Sequence, residues 1–341
     1  MGYKAEKEKM EKQIKFFKII LVCILLLCII GGCIFTVFVP PGTWKYRVSL
    51  PDISKRAEGE LRVHFIDVGQ GDATLIEYPN GKVMLIDGGD GSGSASKALL
   101  RYINALDIDE INDLILTHSD ADHCGGLVSV LKHKTVFNAY LPPSFPEKET
   151  KYAQFYAKLF KMDCNTYFTS RLMQFSCQSQ AGDVYSYNVQ CLYPYSKMVE
   201  DILAKKVELS NTNEASSILY VEYAGVKVLL MGDAPQSTEE QIMRDDEVGA
   251  WAKQGISLKD VSVLKLSHHG SASSSSLQFF QYIGVKDGII SCGKDNSYGH
   301  PAEETLGRLT QVSAKVHRTD VHSNVVLTIA QNGQYTIDYV A

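Results

Sequence analysis

The chain has 341 residues, 45% hydrophobic and 21% charged, a balance that excludes a disordered or fibrous protein. Its formal net charge is −5, yet residues 1–60 hold ten Lys/Arg against six Asp/Glu, so residues 61–341 carry nine more acids than bases. No cationic nucleic-acid-binding surface is visible in that composition.

Residues 19–39 run without a charge. At about 1.5 Å per residue, a helix of that length matches the roughly 30 Å hydrocarbon core of a bilayer. This predicts one membrane-spanning helix over 19–39, a basic cytoplasmic tail over 1–18 and a tether over 40–60. A cleaved signal peptide would have a shorter apolar region ending in small residues, whereas this one continues through Phe35 and Phe38 to Val39. Lys4, Lys7, Lys9, Lys12, Lys15 and Lys18 precede the span, against Lys45, Arg47, Lys55 and Arg56 after it. The positive-inside rule then predicts a single-pass membrane protein, N-terminus inside and residues 61–341 outside. Beyond Cys23, Cys28 and Cys33 in the span, Cys124, Cys164, Cys177, Cys191 and Cys292 are scattered with no CxxC pair. They read as buried free thiols, with one bridge among Cys164, Cys177 and Cys191 as the alternative.

From Leu61 onward, period-2 runs alternate with helical ones, which predicts a mixed α/β domain over 61–341. Residues 61–67, 74–78, 82–86 and 112–117 read as strands, with Asn80-Gly81 as a hairpin turn. Residues 96–106, capped by Ser94, and 147–161 read as helices. A second hairpin, 217–223 and 226–231 around Ala224-Gly225, echoes the first, and each buried strand ends in an aspartate, Asp87 or Asp233. Two such halves pack as sheet on sheet with helices outside, bringing the two aspartates to one sheet edge.

His118-Ser119-Asp120-Ala121-Asp122-His123 follows the apolar strand that ends at Thr117. Read as an extended segment, it points positions 118, 120 and 122 to one side before Gly125-Gly126 lets the chain turn into a helix near Leu127. Mixed imidazole and carboxylate donors suit zinc, manganese or iron. A calcium loop starting at Asp120 is excluded, because its fifth and twelfth positions are Cys124 and Leu131. Asp233 ends the second buried strand and His268-His269-Gly270-Ser271 ends the apolar run 261–266, supplying the distant ligands a two-metal site requires. Gly88–Ser94 matches no nucleotide-binding pattern and reads as a turn, and Ser271–Ser276 as a loop capping the next helix.

Asp67-Val68-Gly69-Gln70-Gly71-Asp72-Ala73, Asp87-Gly88-Gly89, the 118–123 motif, Gly232-Asp233-Ala234 and His268-His269-Gly270-Ser271 resemble the metallo-β-lactamase superfamily. Asn213-Glu214-Ala215-Ser216, Tyr298-Gly299-His300-Pro301 and Arg318-Thr319-Asp320 add a likeness to the C-terminal hydrolase domain of ComEC-type competence proteins. The resemblance, over about 61–337, implies an αββα sandwich with one or two divalent metal ions at the sheet edge, zinc favoured and manganese the alternative. It implies that His118 and Asp120 bind one metal, Asp122, His123 and His268 the other, and Asp233 both. Asp87 would orient the ligand loop, with Asn213, Ser216 and His269 in supporting or substrate-facing roles. Asp120 stands where the superfamily usually has a second histidine, and no histidine lies between His133 and His268, so the first site should bind more weakly or prefer a harder cation.

The implied chemistry is hydrolysis by a metal-activated water. Asp120 or Asp122 would orient the water, and His300 would donate to a phosphoryl oxygen or leaving group. The expected function is a membrane-anchored phosphodiesterase or nuclease acting on DNA or another phosphodiester outside the cytoplasm. The alternatives are a hydrolase of a cell-wall phosphoester or β-lactam, and a non-catalytic binding module for DNA uptake.

Overall fold

The computed structural model describes residues 2–38 and 41–341, which form two units, 1–48 and 49–341. In the first unit, helix α1 runs unbroken over Gly2–Phe38, so the basic segment and the apolar run are one helix. Its stretch Lys7–Ile34 is long and apolar enough to cross a membrane. Val39, the expected end of the span, and Pro40, the expected start of the tether, lie outside the described residues.

Among the described residues of the second unit, fourteen strands form two sheets. The first sheet contains β1 (Leu61–Phe65), β2 (Thr74–Glu77), β3 (Val83–Ile86), β4 (Glu110–Ile115), β5 (Thr135–Leu141), β6 (Asn165–Phe168), β13 (Asn324–Ile329) and β14 (Tyr335–Val340), in the order β14-β13-β1-β2-β3-β4-β5-β6. The second contains β7 (Tyr187–Tyr193), β8 (Ile218–Tyr223), β9 (Val226–Leu230), β10 (Val263–Lys265), β11 (Asp287–Ile290) and β12 (Lys315–Arg318), in the order β12-β11-β10-β9-β8-β7. The echoing hairpins are β2–β3 and β8–β9, one in each sheet.

Alternation sets which residues meet. Leu61, Val63 and Phe65 of β1 pack with Leu219, Val221, Val228 and Leu230 of β8 and β9 between the sheets. The opposite face of the second sheet, with Ile218, Tyr220 and Leu229, packs on Phe279, Phe280, Ile283 and Leu309 from helices Leu277–Ile283 and Glu303–Gln311. On the outer face of the first sheet, His64 meets the Tyr102 hydroxyl of helix Gly93–Ala105 at 2.9 Å. The layering is therefore αββα, and β3, buried along its whole length, is apolar throughout.

Local chemistry moved several boundaries. Ser92, not Ser94, caps the helix at Gly93, its hydroxyl accepting from Ala95 N at 3.2 Å. The helix expected over 147–161 is Lys151–Leu159, because Glu149 has φ +66° and Thr150 caps the next turn. Ser276 caps Leu277–Ile283 as the serine run suggested, and that loop is pinned by Glu239, which accepts from the backbone of Ser275 and Ser276. The described cysteines are free thiols, with Cys124, Cys177, Cys191 and Cys292 buried. Within 49–60, the stretch expected as a tether, Ser54 O accepts from Arg62 at 2.6 Å and Gly59 O from Tyr223 at 2.6 Å.

Strand direction positions the site. β3 and β4 run parallel, as do β9, β10 and β11, so Asp87, His118, Asp233 and His269 all lie just beyond carboxyl ends of strands. Open α/β sheets form their binding crevices there, where loops rather than ladders occupy the backbone groups.

Candidate metal centre

The 118–126 loop seats directly on the loops after β1 and β3. Gly126 N donates to Gly89 O and Gly88 N to His123 O, and a Cβ at Gly126 would stand 1.9 Å from Gly88 O. Only glycine permits so close a backbone approach. The expected extended run through Asp122 is not what forms: Asp120 is extended, but Ala121–Cys124 is already a helical turn. Asp122 and His123 therefore reach the site from that turn rather than by strand alternation.

His123 has an aspartate beside each ring nitrogen. Its Nδ1 lies 2.7 Å from Asp87 Oδ2, and its Nε2 lies 3.3 Å from Asp233 Oδ1. The aspartates ending the two echoing strands thus lie on opposite sides of one imidazole, with the hydrogen bond made to Asp87. Asp87 also accepts from Thr117 N at 2.8 Å and from the Thr117 hydroxyl at 2.7 Å. That hydroxyl stands 3.1 Å from His118 Nδ1, so its remaining lone pair takes the His118 Nδ1 proton and leaves His118 Nε2 free. His118 Nε2 lies 3.7 Å from both Asp120 Oδ2 and Asp233 Oδ2.

The resemblance gives His268 a ligand role and His269 a supporting one, whereas the side chain that reaches the interior is that of His269. The His269 side chain is 2% exposed, with Nδ1 3.0 Å from Ser291 O and Nε2 3.2 Å from Asp122 Oδ2 and 3.7 Å from Asp233 Oδ2. The His268 side chain is 32% exposed, its Nε2 3.9 Å from Asp233 Oδ2 at the rim. The pair sits at φ +49° and +53°, left-handed backbone that non-glycine residues adopt at a cost. The turn sends consecutive side chains to interior and rim.

Asp72, His123, Asp233 and His269 each bring a potential ligand atom within 4.8 Å of one another. Asp72, however, faces the Nδ1 edge of His269 at 3.4 Å, and its other oxygen accepts from the buried Lys265 ammonium at 2.7 Å. It therefore fits a role in holding His269 better than ligation. Asp72 belongs to the 67–73 motif, and the sequence marks Lys265 only as a lysine inside an apolar strand. Thr212, also missed, donates to Asp120 Oδ1 at 2.6 Å. Ser216 accepts from Asp233 N at 3.2 Å, whereas Asn213 is buried with its Oδ1 3.4 Å from the Thr212 hydroxyl. The His300 ring lies 5.4 Å from that of His268 and 6.0 Å from that of His269.

The donor set fits a cation. His118 Nε2, His123 Nε2, His269 Nε2 and Asp233 Oδ1 are buried atoms without hydrogen-bond partners, an expensive arrangement unless something positive joins them. Burial disfavours ionised Asp233, but His123, His269 and His118 outweigh it and hold the carboxyl well below its usual range. Burial likewise opposes a charged His269 ring, yet Asp233, Asp72 and Asp122 lift it to about 10. The field that keeps a proton on that imidazole would also hold a divalent ion.

The sequence profile of the metallo-beta-lactamase superfamily matches residues 66–294. The chain belongs to that superfamily. Among similar curated proteins, "ComE operon protein 3" of Bacillus subtilis (strain 168) is 29% identical over 79% of this chain and 33% of its own. "Recombination protein 2" of Haemophilus influenzae is 27% identical over 80% of this chain and 29% of its own. "Competence protein ComA" of Neisseria gonorrhoeae is 26% identical over 81% and 33%. These relatives are competence proteins of the ComEC type, and this chain spans about a third of their length.

Proposed function

We propose that this protein is a membrane-anchored, metal-dependent phosphodiesterase acting outside the cytoplasm, with DNA or a related phosphodiester as substrate. The observation that carries the reading is the convergence of partnerless imidazole nitrogens on Asp233. His118, Asp120 and Asp233 would hold one ion, and Asp122, His123, His269 and Asp233 a second, with His268 at the rim beside them. When bound, zinc or manganese supplies an activated water and polarises the scissile phosphoryl group.

The protein's own groups supply the rest. Asp120, fixed through Oδ1 by Thr212 and 44% exposed, would orient the attacking water. Asp87 and Ser291 take the Nδ1 protons of His123 and His269, so both rings present Nε2 inward. Burial, then His269 and His268, lowers the pKa of His300, so at neutral pH it serves as an uncharged hydrogen-bond donor to a phosphoryl oxygen.

The full chain in detergent should hydrolyse bis(p-nitrophenyl) phosphate only with added zinc or manganese. Turnover of a β-lactam instead would favour the alternative hydrolase, and DNA binding without turnover of either would favour a non-catalytic uptake module. The outward orientation rests on the lysine bias before the span. Protease added to intact spheroplasts should digest residues 61–341, and protection until lysis would reverse the topology.

A further inference from the structure

The outer face of the second sheet changes character at one end. Tyr187, Val189 and Cys191 of β7 face the core between the sheets, so alternation turns Asn188, Gln190 and Leu192 outward. Leu192 joins the apolar layer under the helices, whereas Asn188, Gln190 and Glu222, the cross-strand partner of Asn188, stay out of it. These three line a cleft of about 530 Å³ beside the Ala224-Gly225 turn, within the ~300–1,000 Å³ typical of small-ligand sites. β9 leaves that turn and Asp233 follows its far end, so the cleft and the metal centre lie at opposite ends of the strand.

Amides dominate the lining: Gln178, Gln180, Asn188, Gln190 and Gln254. Asn188 Nδ2 donates to Gln254 O at 3.1 Å, which leaves its Oδ1 to accept from Gln190 Nε2 at 3.3 Å. Gln190 Oε1 is then a buried acceptor without a partner, on a residue 6% exposed. Such an atom calls for a donor from outside the chain. Among the described residues of the lining Glu222 alone is charged, so no cation offsets the charge of a phosphate. A peptide strand has no ladder to join either. Val189 N donates to Gln178 Oε1 and Tyr187 N to Ser179 Oγ, while Tyr187 O accepts from both of those side chains. What fits is an uncharged ligand dense in groups that donate and accept at once. Hydroxyls do both, and one amide offers a donor and an acceptor to a neighbouring pair of them.

We infer that this cleft binds a neutral sugar unit of a polysaccharide, at a site separate from the metal centre. The inference needs neither the ion nor the phosphodiesterase reading. Sugar binding there holds the protein against a glycan while the opposite end of the sheet stays open to substrate.

Calorimetric titration of the full chain, in a detergent without a sugar headgroup, tests this with the N-acetylglucosamine trimer, cellotriose and maltotriose. At least one of the three should bind saturably. Gln190→Leu should weaken that binding about tenfold, the worth of one hydrogen bond, and keep the wild-type melting temperature and metal content. If Gln190→Leu melts below the wild type, Gln254→Ala, at an exposed position, takes its place with the same expected loss. Binding of none of the three sugars, unchanged affinity in the folded variant, or equal binding of trialanine overturns the site. Sugar binding that depends on Gln190 in a chain that hydrolyses no diester would end the phosphodiesterase reading and leave this site standing.

Discussion

Asp233→Asn should lower diester turnover by at least about a hundredfold and reduce metal content at both sites. Asp233 faces His118 through Oδ2 at 3.7 Å, His123 through Oδ1 at 3.3 Å and His269 through Oδ2 at 3.7 Å, so one residue serves both proposed ions. An amide keeps the shape and deletes the charge. Even groups that only support a metal ligand are worth about 10–100-fold in affinity or activity, and a shared anionic ligand should exceed that. Asp120→Asn should cost less, because Asp120 is partly solvated and belongs to one site. Metal analysis with steady-state rates of the folded variants decides the matter: near-normal metal and rate in Asp233→Asn would end the two-metal assignment.

The second large effect separates adjacent histidines. His269→Ala should lose most metal at the site shared with Asp122 and His123 and fall by about a hundredfold or more in rate, whereas His268→Ala should keep most of its metal. The interior ring has Nδ1 tied to Ser291 and Nε2 aimed at two carboxylates, while the rim ring is one-third exposed. Metal titrations of both variants, compared with wild type, should give a weakened site for His269→Ala alone. The reverse result would return the ligand role to His268.

What the sequence made legible was contiguous. The 118–123 motif lies within six residues, and Asp87 and Asp233 each end an apolar strand, so chemistry and pattern marked them together. The paired sheets followed from the hairpin echo. The choice between His268 and His269 was hidden because it depends on two successive left-handed residues, a conformation the side chains themselves do not announce. Asp72 and Lys265 were hidden by a sequence separation of 193, and Thr212 by its separation of 92 from Asp120. The helical turn at Ala121 escaped because the alternation of ligands also suits an extended chain.

His123 comes from a loop of the first sheet, yet its two nitrogens face aspartates that belong to different sheets. An ion bound beside it would be held by the assembled pair of sheets and by neither half alone. Binding that favours the folded chain over the unfolded one adds RT ln(1 + [L]/Kd) to stability. Metal scarcity would then act twice, slowing catalysis and loosening the clasp between the halves, so the ion supply would govern how long each molecule survives as well as how fast it works.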